Sequence, residues 1–202
     1  MKRWMALGTA TVVAGAGLLV ADQASARPEQ VRAVLRDPSG AAVGVVTFAK
    51  AGSGTRVTAA LQRNPYVAPG DFHGFHVHAN DNPANGTGCT ADPAAPSSTW
   101  FVSADGHLAG YGETHGHHAG DMPSPLIARD GTAILFFTTD RFTPAAVVGR
   151  AVVLHAGPDN FGNVPMGSAP DQYTANSTAA VTKTQGTGNS GDRVACGVVR
   201  TG

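Results

Sequence analysis

The chain has 202 residues, with 14 basic and 14 acidic side chains, 8 histidines and 2 cysteines. This near-neutral balance argues against nucleic acid or an anionic membrane surface as a partner, because both need a basic surface. The chain also contains 26 glycines and 13 prolines, a composition that interrupts long helices and favours short elements joined by turns.

The first residues have the pattern of a secretory signal peptide. Lys2-Arg3 gives a positive start, residues 5–20 are apolar or small, and Ala24-Ser25-Ala26 has the small residues that a signal peptidase reads. An uncleaved membrane anchor is the alternative, but the apolar run of ~16 residues is shorter than the ~20 that a spanning helix needs. We therefore expect residues 1–26 to be removed and residues 27–202 to form one exported domain, either secreted or kept at the cell envelope, with no membrane attachment after cleavage.

Eight short runs of alternating or continuous apolar residues predict strands. They cover residues 31–36, 43–50, 56–62, 72–79, 126–128, 133–139, 151–155 and 194–199. Turn-forming residues separate the first three runs, and no long segment has the 3.6-residue repeat of an amphipathic helix. The pattern predicts an all-β domain, an eight-stranded antiparallel barrel or sandwich.

Two connections between the predicted strands are far longer than hairpin turns. Residues 80–125 and 156–193 each form a segment of around forty residues rich in Gly, Pro, Asn, Asp, Ser and Thr, and loops of that length in a compact domain are usually functional or disordered. The first of them carries four histidines and one cysteine. We expect both to be functional loops.

Two cysteines in an exported protein indicate one disulfide, between Cys89 and Cys196. Such a bridge would tie the first long loop to the last strand. The chain-entropy model gives a stabilisation of ~4 to 5 kcal/mol for a loop of about a hundred residues. Two free thiols are the alternative.

Gly74-Phe75-His76-Val77-His78 places two imidazoles at alternate positions of a predicted strand. Successive side chains of a strand point to opposite faces, so His76 and His78 share one face, whereas Phe75 and Val77 share the other. Two nitrogen ligands on one face, above an apolar underside, suit a transition metal.

Other histidines can complete one or two metal sites. His107 from the first loop and His155 at the end of a strand would make four imidazoles with His76 and His78, a set that fits copper or zinc. Nearby, three nitrogens and one carboxylate would suit zinc, and their candidates are His115, His117, His118 and Asp121. His107 could serve both metals, one through each ring nitrogen.

A series of motifs resembles the copper,zinc superoxide dismutase family. In order, they are the segments at 74–78 (GFHVH), 88–90 (GCT), 105–107 (DGH), 118–121 (HAGD), 153–155 (VLH), 187–189 (TGN) and 193–198 (RVACGV). The first and last of them are highly specific together. The resemblance extends from about residue 31 to residue 199 and implies a Greek-key barrel, copper and zinc as cofactors, and superoxide as the substrate.

The resemblance also implies a role for individual residues. Copper would be held by His76, His78, His107 and His155, and zinc by His107, His115, His118 and Asp121. Asp159 would hydrogen-bond one ligand of each metal, Cys89 and Cys196 would form the family disulfide, and Arg193 would attract the anion. His107 would supply a proton to the product, and a homodimer is possible.

The chain departs from the family pattern at three places. Only two residues separate His115 from His118, so the zinc subloop is shortened, and His117 is an alternative ligand. Asp192 stands beside Arg193, where it would weaken anion attraction if it pointed inward, and the second long loop has one lysine, Lys183. The leading interpretation is an exported superoxide dismutase. A non-catalytic copper-binding or copper-buffering protein on the same scaffold is the alternative.

Overall fold

The computed structural model describes residues 30–160 and 177–202. Their strands are β1 (Gln30–Arg36), β2 (Ala42–Ala51), β3 (Gly54–Leu61), β4 (Phe75–His78), β5 (Ala133–Thr139), β6 (Ala151–His155), β7 (Arg193–Val198) and β8 (Arg200–Thr201), and one α-helix, α1 (Thr178–Thr187), lies between β6 and β7. The predicted signal peptide lies outside the described residues. In the described part of the chain, no helix has the length and apolar character needed to cross a bilayer.

All strands pair antiparallel in one sheet with the order β4-β6-β7-β1-β2-β3-β5, and β8 adds to β1. Strands β3 and β4 follow each other in the chain but lie near opposite ends of this order, and so do β5 and β6. These two crossings make the connectivity a Greek key. The all-β Greek-key prediction is confirmed.

The core forms because strand residues alternate between buried and exposed. In β1, Val31, Ala33 and Leu35 are buried while the residues between them face solvent, as expected for a sheet with one face on the core. Phe48 of β2 contacts Phe142, which follows the end of β5 in the chain. Their ring centroids lie 5.9 Å apart in an edge-to-face arrangement. Phe75 and Val77 of β4 belong to the same core, so their strand neighbours His76 and His78 face the opposite side.

Two predictions of secondary structure were wrong. Residues 126–128 form no strand: Leu126 makes only an isolated bridge with Phe72, and the N–H of Ile127 donates to the carbonyl of Asp71. Because Pro123 and Pro125 lack an N–H, this segment cannot begin a regular ladder. The eighth strand is instead β8, at the C-terminus. Helix α1 was also missed, since its sequence has no apolar stripe and contains Gly186.

The disulfide between Cys89 and Cys196 is present, with Cα atoms 5.5 Å apart. It joins the first long loop to the buried strand β7, beside a second apolar cluster that includes Trp100, Phe101 and Val153. The loop is therefore held against the outer face of β6 and β7 both covalently and by packing. This attachment positions the loop residues that reach the histidine cluster.

Candidate metal centre

Three of the candidate ligands are placed by β4 and β6. These strands pair with Phe75 opposite Leu154 and His78 opposite Ala151, which brings the end of β6 next to β4. His76, His78 and His155 are each at most 3% exposed. The ladder between β6 and β7 shifts register at His155, whose Cα partner is Arg193. This irregularity sets His155 and Arg193 side by side at the same end of the sheet.

His107 is placed by pairing of the first long loop with β4. The N–H of Leu108 donates to the carbonyl of Val77 at 2.8 Å, and the N–H of Ala79 donates to the carbonyl of Gly106 at 2.9 Å. His107 thereby forms an isolated antiparallel bridge with His78, and its ring centroid lies 4.0 Å from that of His76. The loop contributes a fourth imidazole to the face that His76 and His78 share.

Three of these rings have one nitrogen tied to an oxygen of the protein. Nδ1 of His78 donates to the carbonyl of Asp105 at 2.8 Å, and Nδ1 of His155 donates to the carbonyl of Gly191 at 3.1 Å. Nε2 of His76 lies 2.9 Å from the Asp159 carboxylate. Since these oxygens can only accept, each ring carries its proton on the tied nitrogen and its lone pair on the other one.

The remaining nitrogens converge. Nδ1 of His76 and Nε2 of His78, His107 and His155 are buried and have no hydrogen-bond partner among the described residues. Ligand atoms of these four histidines lie within 4.8 Å of one another. Buried polar atoms without partners are rare in proteins because they lose their hydration without compensation. A metal ion that accepts four nitrogen lone pairs would satisfy all of them, so this donor set fits copper.

A second group of donor atoms lies on the other side of His107. Nδ1 of His107 is 2.9 Å from Oδ1 of Asp121 and 3.2 Å from Nδ1 of His118. The same carboxylate oxygen is 3.3 Å from Nδ1 of His115 and 3.4 Å from Nδ1 of His118. In a tetrahedral zinc site with bonds of ~2.0 to 2.1 Å, ligand atoms lie about 3.3 Å apart. Four of the six separations among these three nitrogens and one oxygen are therefore close to those of a zinc site. Ligand atoms of His76, His107, His115 and Asp121 also lie within 4.8 Å of one another.

His117, the alternative zinc ligand, lies outside both groups. Its side chain is exposed, whereas the neighbouring His118 is only 4% exposed and directs Nδ1 at Asp121. His73 is also buried, but both of its nitrogens lie 2.9 Å from backbone carbonyl oxygens, those of His155 and Ala68. It therefore has no free nitrogen for a metal.

Asp159, the carboxylate to which the resemblance assigns a contact with one ligand of each metal, lies between the two groups. Its Oδ1 lies 2.9 Å from Nε2 of His76 and 3.5 Å from Nε2 of His115, and its Oδ2 accepts a hydrogen bond from Ser124. Helix α1 supports the same region, because the carbonyl of Gln185 accepts from the N–H of His115 at 2.7 Å. The second long loop thus contacts a candidate ligand of each group.

Burial determines the protonation of the cluster in the metal-free chain. Desolvation is the main cause that lowers the pKa of His78 and of His155 well below 6.5. It also lowers the pKa of His107 from 6.5 to about 4, although the hydrogen bond with Asp121 opposes the shift. Hydrogen bonds and charges from His107 and His115 lower the pKa of Asp121 in spite of its burial. All four groups are therefore in the state that binds a metal at neutral pH.

Arg193 lies beside the four-imidazole cluster. Its guanidinium donates to the carbonyls of Phe101 and Asp105 at 2.5 and 2.6 Å, and its positive charge helps to lower the pKa values of His78 and His155. Burial lowers the pKa of Arg193 itself, and the Asp105 charge opposes this. Asp192, which would weaken anion attraction if it pointed inward, accepts a hydrogen bond from Ser97.

Asp105 is a candidate functional residue that sequence reasoning missed. Its carbonyl accepts from both His78 and Arg193, and its carboxylate accepts from the N–H groups of Asp81 and Asn82. It adopts a positive φ of +64°, a region that costs a non-glycine residue energy. The one signal in the sequence is its position directly before Gly106-His107. Every residue has a backbone carbonyl, so the hydrogen bonds that the Asp105 carbonyl accepts cannot be predicted from residue type.

Fold and site together define a class of protein, an antiparallel β-barrel that carries two adjacent sets of candidate metal ligands with His107 in both. The model of the family described as copper/zinc superoxide dismutase (SODC) matches residues 42–199. The chain therefore belongs to the copper/zinc superoxide dismutase family, whose members use copper and zinc. Its function is superoxide dismutation, and the alternative of a non-catalytic copper-buffering protein is not favoured.

Individual relatives agree with this assignment. A superoxide dismutase [Cu-Zn] from Mycolicibacterium paratuberculosis is 34% identical over 195 residues, which cover 93% of this chain and 81% of the relative. One from Mycobacterium tuberculosis is 35% identical, with coverage of 94% and 78%. The crystal structure of the clock protein EA4 superimposes with a TM-score of 0.59 at 24% identity and covers 87% of this chain and 96% of that one, a likeness of fold.

Gly188 ends helix α1 at a φ of +66°, where an added Cβ would lie 2.5 Å from Nε2 of His115 and 2.8 Å from Oδ1 of Asp159. We expect Gly188→Ala to displace His115, lower the zinc content and decrease the free energy of unfolding by at least the ~1 to 2 kcal/mol that a left-handed residue costs. Gly186→Ala is the matched control, because nothing lies within 4 Å of its Cβ and alanine favours a helix. Urea unfolding and metal analysis compare the two, and equal results would contradict the expected displacement.

The stability of the metal-free protein should depend on pH. Folded His107 titrates at a pKa of about 4 instead of 6.5, and His78 and His155 are shifted in the same direction. Below pH 6.5 the unfolded chain therefore binds more protons than the folded chain, so the free energy of unfolding falls as the pH falls from 6.5 towards 4. Urea unfolding with a chelator present measures this. An unfolding free energy that stays constant over that interval would contradict the burial of neutral imidazoles.

Proposed function

We propose that this chain dismutates superoxide at the four-imidazole cluster, with copper held by His76, His78, His107 and His155. The observation that carries the proposal is the set of four converging ring nitrogens, all buried and without hydrogen-bond partners among the described residues. For zinc, we propose His107, His115, His118 and Asp121, whose donor atoms have the separations given above. Here His107 would contribute Nε2 to copper and Nδ1 to zinc.

The reaction converts two superoxide ions and two protons into O2 and H2O2. Copper, when bound, supplies the one-electron couple that removes an electron from one superoxide and returns it to the next. The protein must hold the neutral imidazoles of His76, His78 and His155 in place through this cycle, whereas His107 would be deprotonated when both of its ring nitrogens bind metal. The hydrogen bonds of His76, His78 and His155 to fixed oxygens support that role, because each maintains the ring orientation and the tautomer.

Arg193 is proposed as the residue that attracts the anion. A guanidinium stays charged at all relevant pH values and offers several donors to a small anion. Two carbonyls fix the Arg193 guanidinium beside His78 and His155. A fixed positive charge in a cleft raises the local concentration of an anionic substrate and its association rate.

His107 is proposed as a proton carrier. Its Nδ1 faces Asp121 and His118, whereas its Nε2 faces the cluster and is buried without a partner among the described residues. Only Nε2 is therefore available, when it is not bound to copper, to accept a proton and release it to a reduced product. Asp121 keeps the ring oriented throughout, since its Oδ1 lies 2.9 Å from Nδ1.

We also propose that residues 1–26 are a signal peptide and that residues 27–202 are the exported domain. The disulfide between Cys89 and Cys196 supports export, because disulfides persist mainly in oxidising compartments. Secretion or retention at the cell envelope stays a prediction. So do a homodimer and the expectation that nucleic acid and membranes are not partners.

Activity of the purified chain from Arg27 to Gly202 tests the function. We expect rapid superoxide decay with protein loaded with both copper and zinc, and only the uncatalysed decay with protein stripped of both metals, because the imidazoles alone have no one-electron couple. Pulse radiolysis measures the decay directly. Stoichiometric copper binding without turnover would overturn the proposal and favour the copper-buffering alternative.

Arg193→Ala should lower the rate constant for superoxide by about tenfold or more and flatten its dependence on ionic strength, because a focused positive charge is lost. Copper content should stay the same, since Arg193 bonds carbonyls rather than a proposed ligand side chain. Arg36→Ala is a control, because the Arg36 guanidinium donates to the Gly40 carbonyl in its own turn. Loss of copper in Arg193→Ala would instead assign the residue a structural role.

A further inference from the structure

The shortened zinc subloop raises the question of what holds it in place. Gly116 and His117 are the only residues between His115 and His118. Gly116 has a φ of +91°, a conformation available mainly to glycine. So short a turn has few internal contacts with which to orient two imidazoles. Its peptide groups must be fixed from outside.

Asp121 binds the turn from the side of the metal group. Its Oδ2 accepts hydrogen bonds from the N–H of Gly116 at 2.6 Å and from the N–H of His118 at 3.1 Å. Its other oxygen, Oδ1, lies among the ring nitrogens of His107, His115 and His118. One carboxylate therefore holds both peptide N–H groups and faces the donor set at the same time.

Arg141 binds the same two residues from the opposite side. Its Nη2 donates to the carbonyl of Gly116, and its Nη1 donates to the carbonyl of His118, both at 2.9 Å. Gly116 and His118 are thus held at the N–H by Asp121 and at the carbonyl by Arg141. A planar guanidinium suits this task, because its donors diverge at a fixed angle and can reach two acceptors at once.

The barrel supplies a firm support for Arg141. The next residue, Phe142, is 6% exposed and packs edge-to-face on Phe48 of β2. The carbonyl of Phe142 accepts a hydrogen bond from the buried Thr55 hydroxyl at 2.7 Å, and the N–H of Arg141 donates to Thr139 of β5. Contacts therefore run without a break from the core, through Arg141, to the backbone of His118.

We infer that Arg141 is a positioning residue for zinc, which orients His115 and His118 by clamping the carbonyls of Gly116 and His118 against the barrel. This inference rests on the zinc set proposed above. Residues that orient ligands without touching the metal contribute strongly, since their loss typically costs ~10- to 100-fold in metal affinity. In this chain the clamp compensates for the length that the subloop lacks.

Arg141→Ala and Arg141→Lys test the inference, with Arg36→Ala as the matched control. Arg36 also bonds a backbone carbonyl through its guanidinium, at 2.9 Å, but in the turn after β1. Arg141→Lys keeps the charge and removes the fork, so it separates the two contributions. Three measurements apply to each protein: the rate of zinc release to a coloured chelator, the visible spectrum after cobalt(II) replaces zinc, and thermal unfolding with and without zinc.

We expect Arg141→Ala to release zinc about tenfold faster or more, and its cobalt(II) spectrum to show changed ligand geometry. Arg141→Lys should fall between Arg141→Ala and the unchanged protein, because an ammonium cannot span both carbonyls. The stabilisation that zinc adds in thermal unfolding should decrease, whereas the metal-free proteins should unfold at similar temperatures. The copper content of the Arg141 variants should equal that of the unchanged protein. Arg36→Ala should match the unchanged protein in all of these measurements.

Two results would overturn the inference while leaving the zinc set intact. One is that Arg141→Ala releases zinc at the same rate as the unchanged protein and has the same cobalt(II) spectrum. The other is an equal loss of stability with and without zinc, which would make Arg141 a general structural residue. If the unchanged protein bound no zinc at all, the proposed zinc set would fail, and the inference with it.

Discussion

The structure depends on the burial of the four imidazoles of His76, His78, His107 and His155. Each has one nitrogen held by the protein and one nitrogen without a hydrogen-bond partner among the described residues. A buried polar atom without a hydrogen bond costs free energy, and the four-imidazole cluster has one such atom on each ring. The fold tolerates this cost because the rest of the barrel is well packed, and metal binding then removes it. Stability and metal occupancy are coupled for that reason.

The tied nitrogens explain the arrangement of the two long loops. Asp105 in the first loop and Gly191 in the second supply the carbonyls that orient His78 and His155, and Asp159 orients His76. Both loops must therefore be in place before the cluster has its geometry. The disulfide at Cys89 secures the first loop to β7, and helix α1 secures the second through the backbone of His115.

The same design joins substrate attraction to ligand orientation. The carbonyl of Asp105 accepts from His78 and from Arg193, so one peptide group sets the position of a proposed copper ligand and of the guanidinium that would attract superoxide. The positive φ of Asp105 directs that carbonyl, and its carboxylate anchors the turn at Asp81 and Asn82. A small anion next to a metal requires this precision, because the reaction has no other substrate group to bind.

The sequence by itself determined seven of the strands and the disulfide partners, and it indicated the candidate donor residues. Alternation of apolar and polar residues has a period that only a strand satisfies, as in β1, and two cysteines allow a single bridge. Spacing alone put His76 and His78 on one face. By contrast, helix α1 was missed because its sequence has no apolar stripe. Residues 126–128 were wrongly predicted as a strand because they are apolar, although they pair with no neighbouring strand.

Only the tertiary structure decided which of the neighbouring residues His117 and His118 faces the site, and which backbone groups orient the ligands. Residue type does not distinguish two adjacent histidines, whereas the turn held by Asp121 and Arg141 buries one and exposes the other. Carbonyls such as those of Asp105 and Gly191 are present in every residue. Their roles arise from where the folded chain brings them, because a hydrogen bond depends on distance and direction rather than on the identity of the side chain.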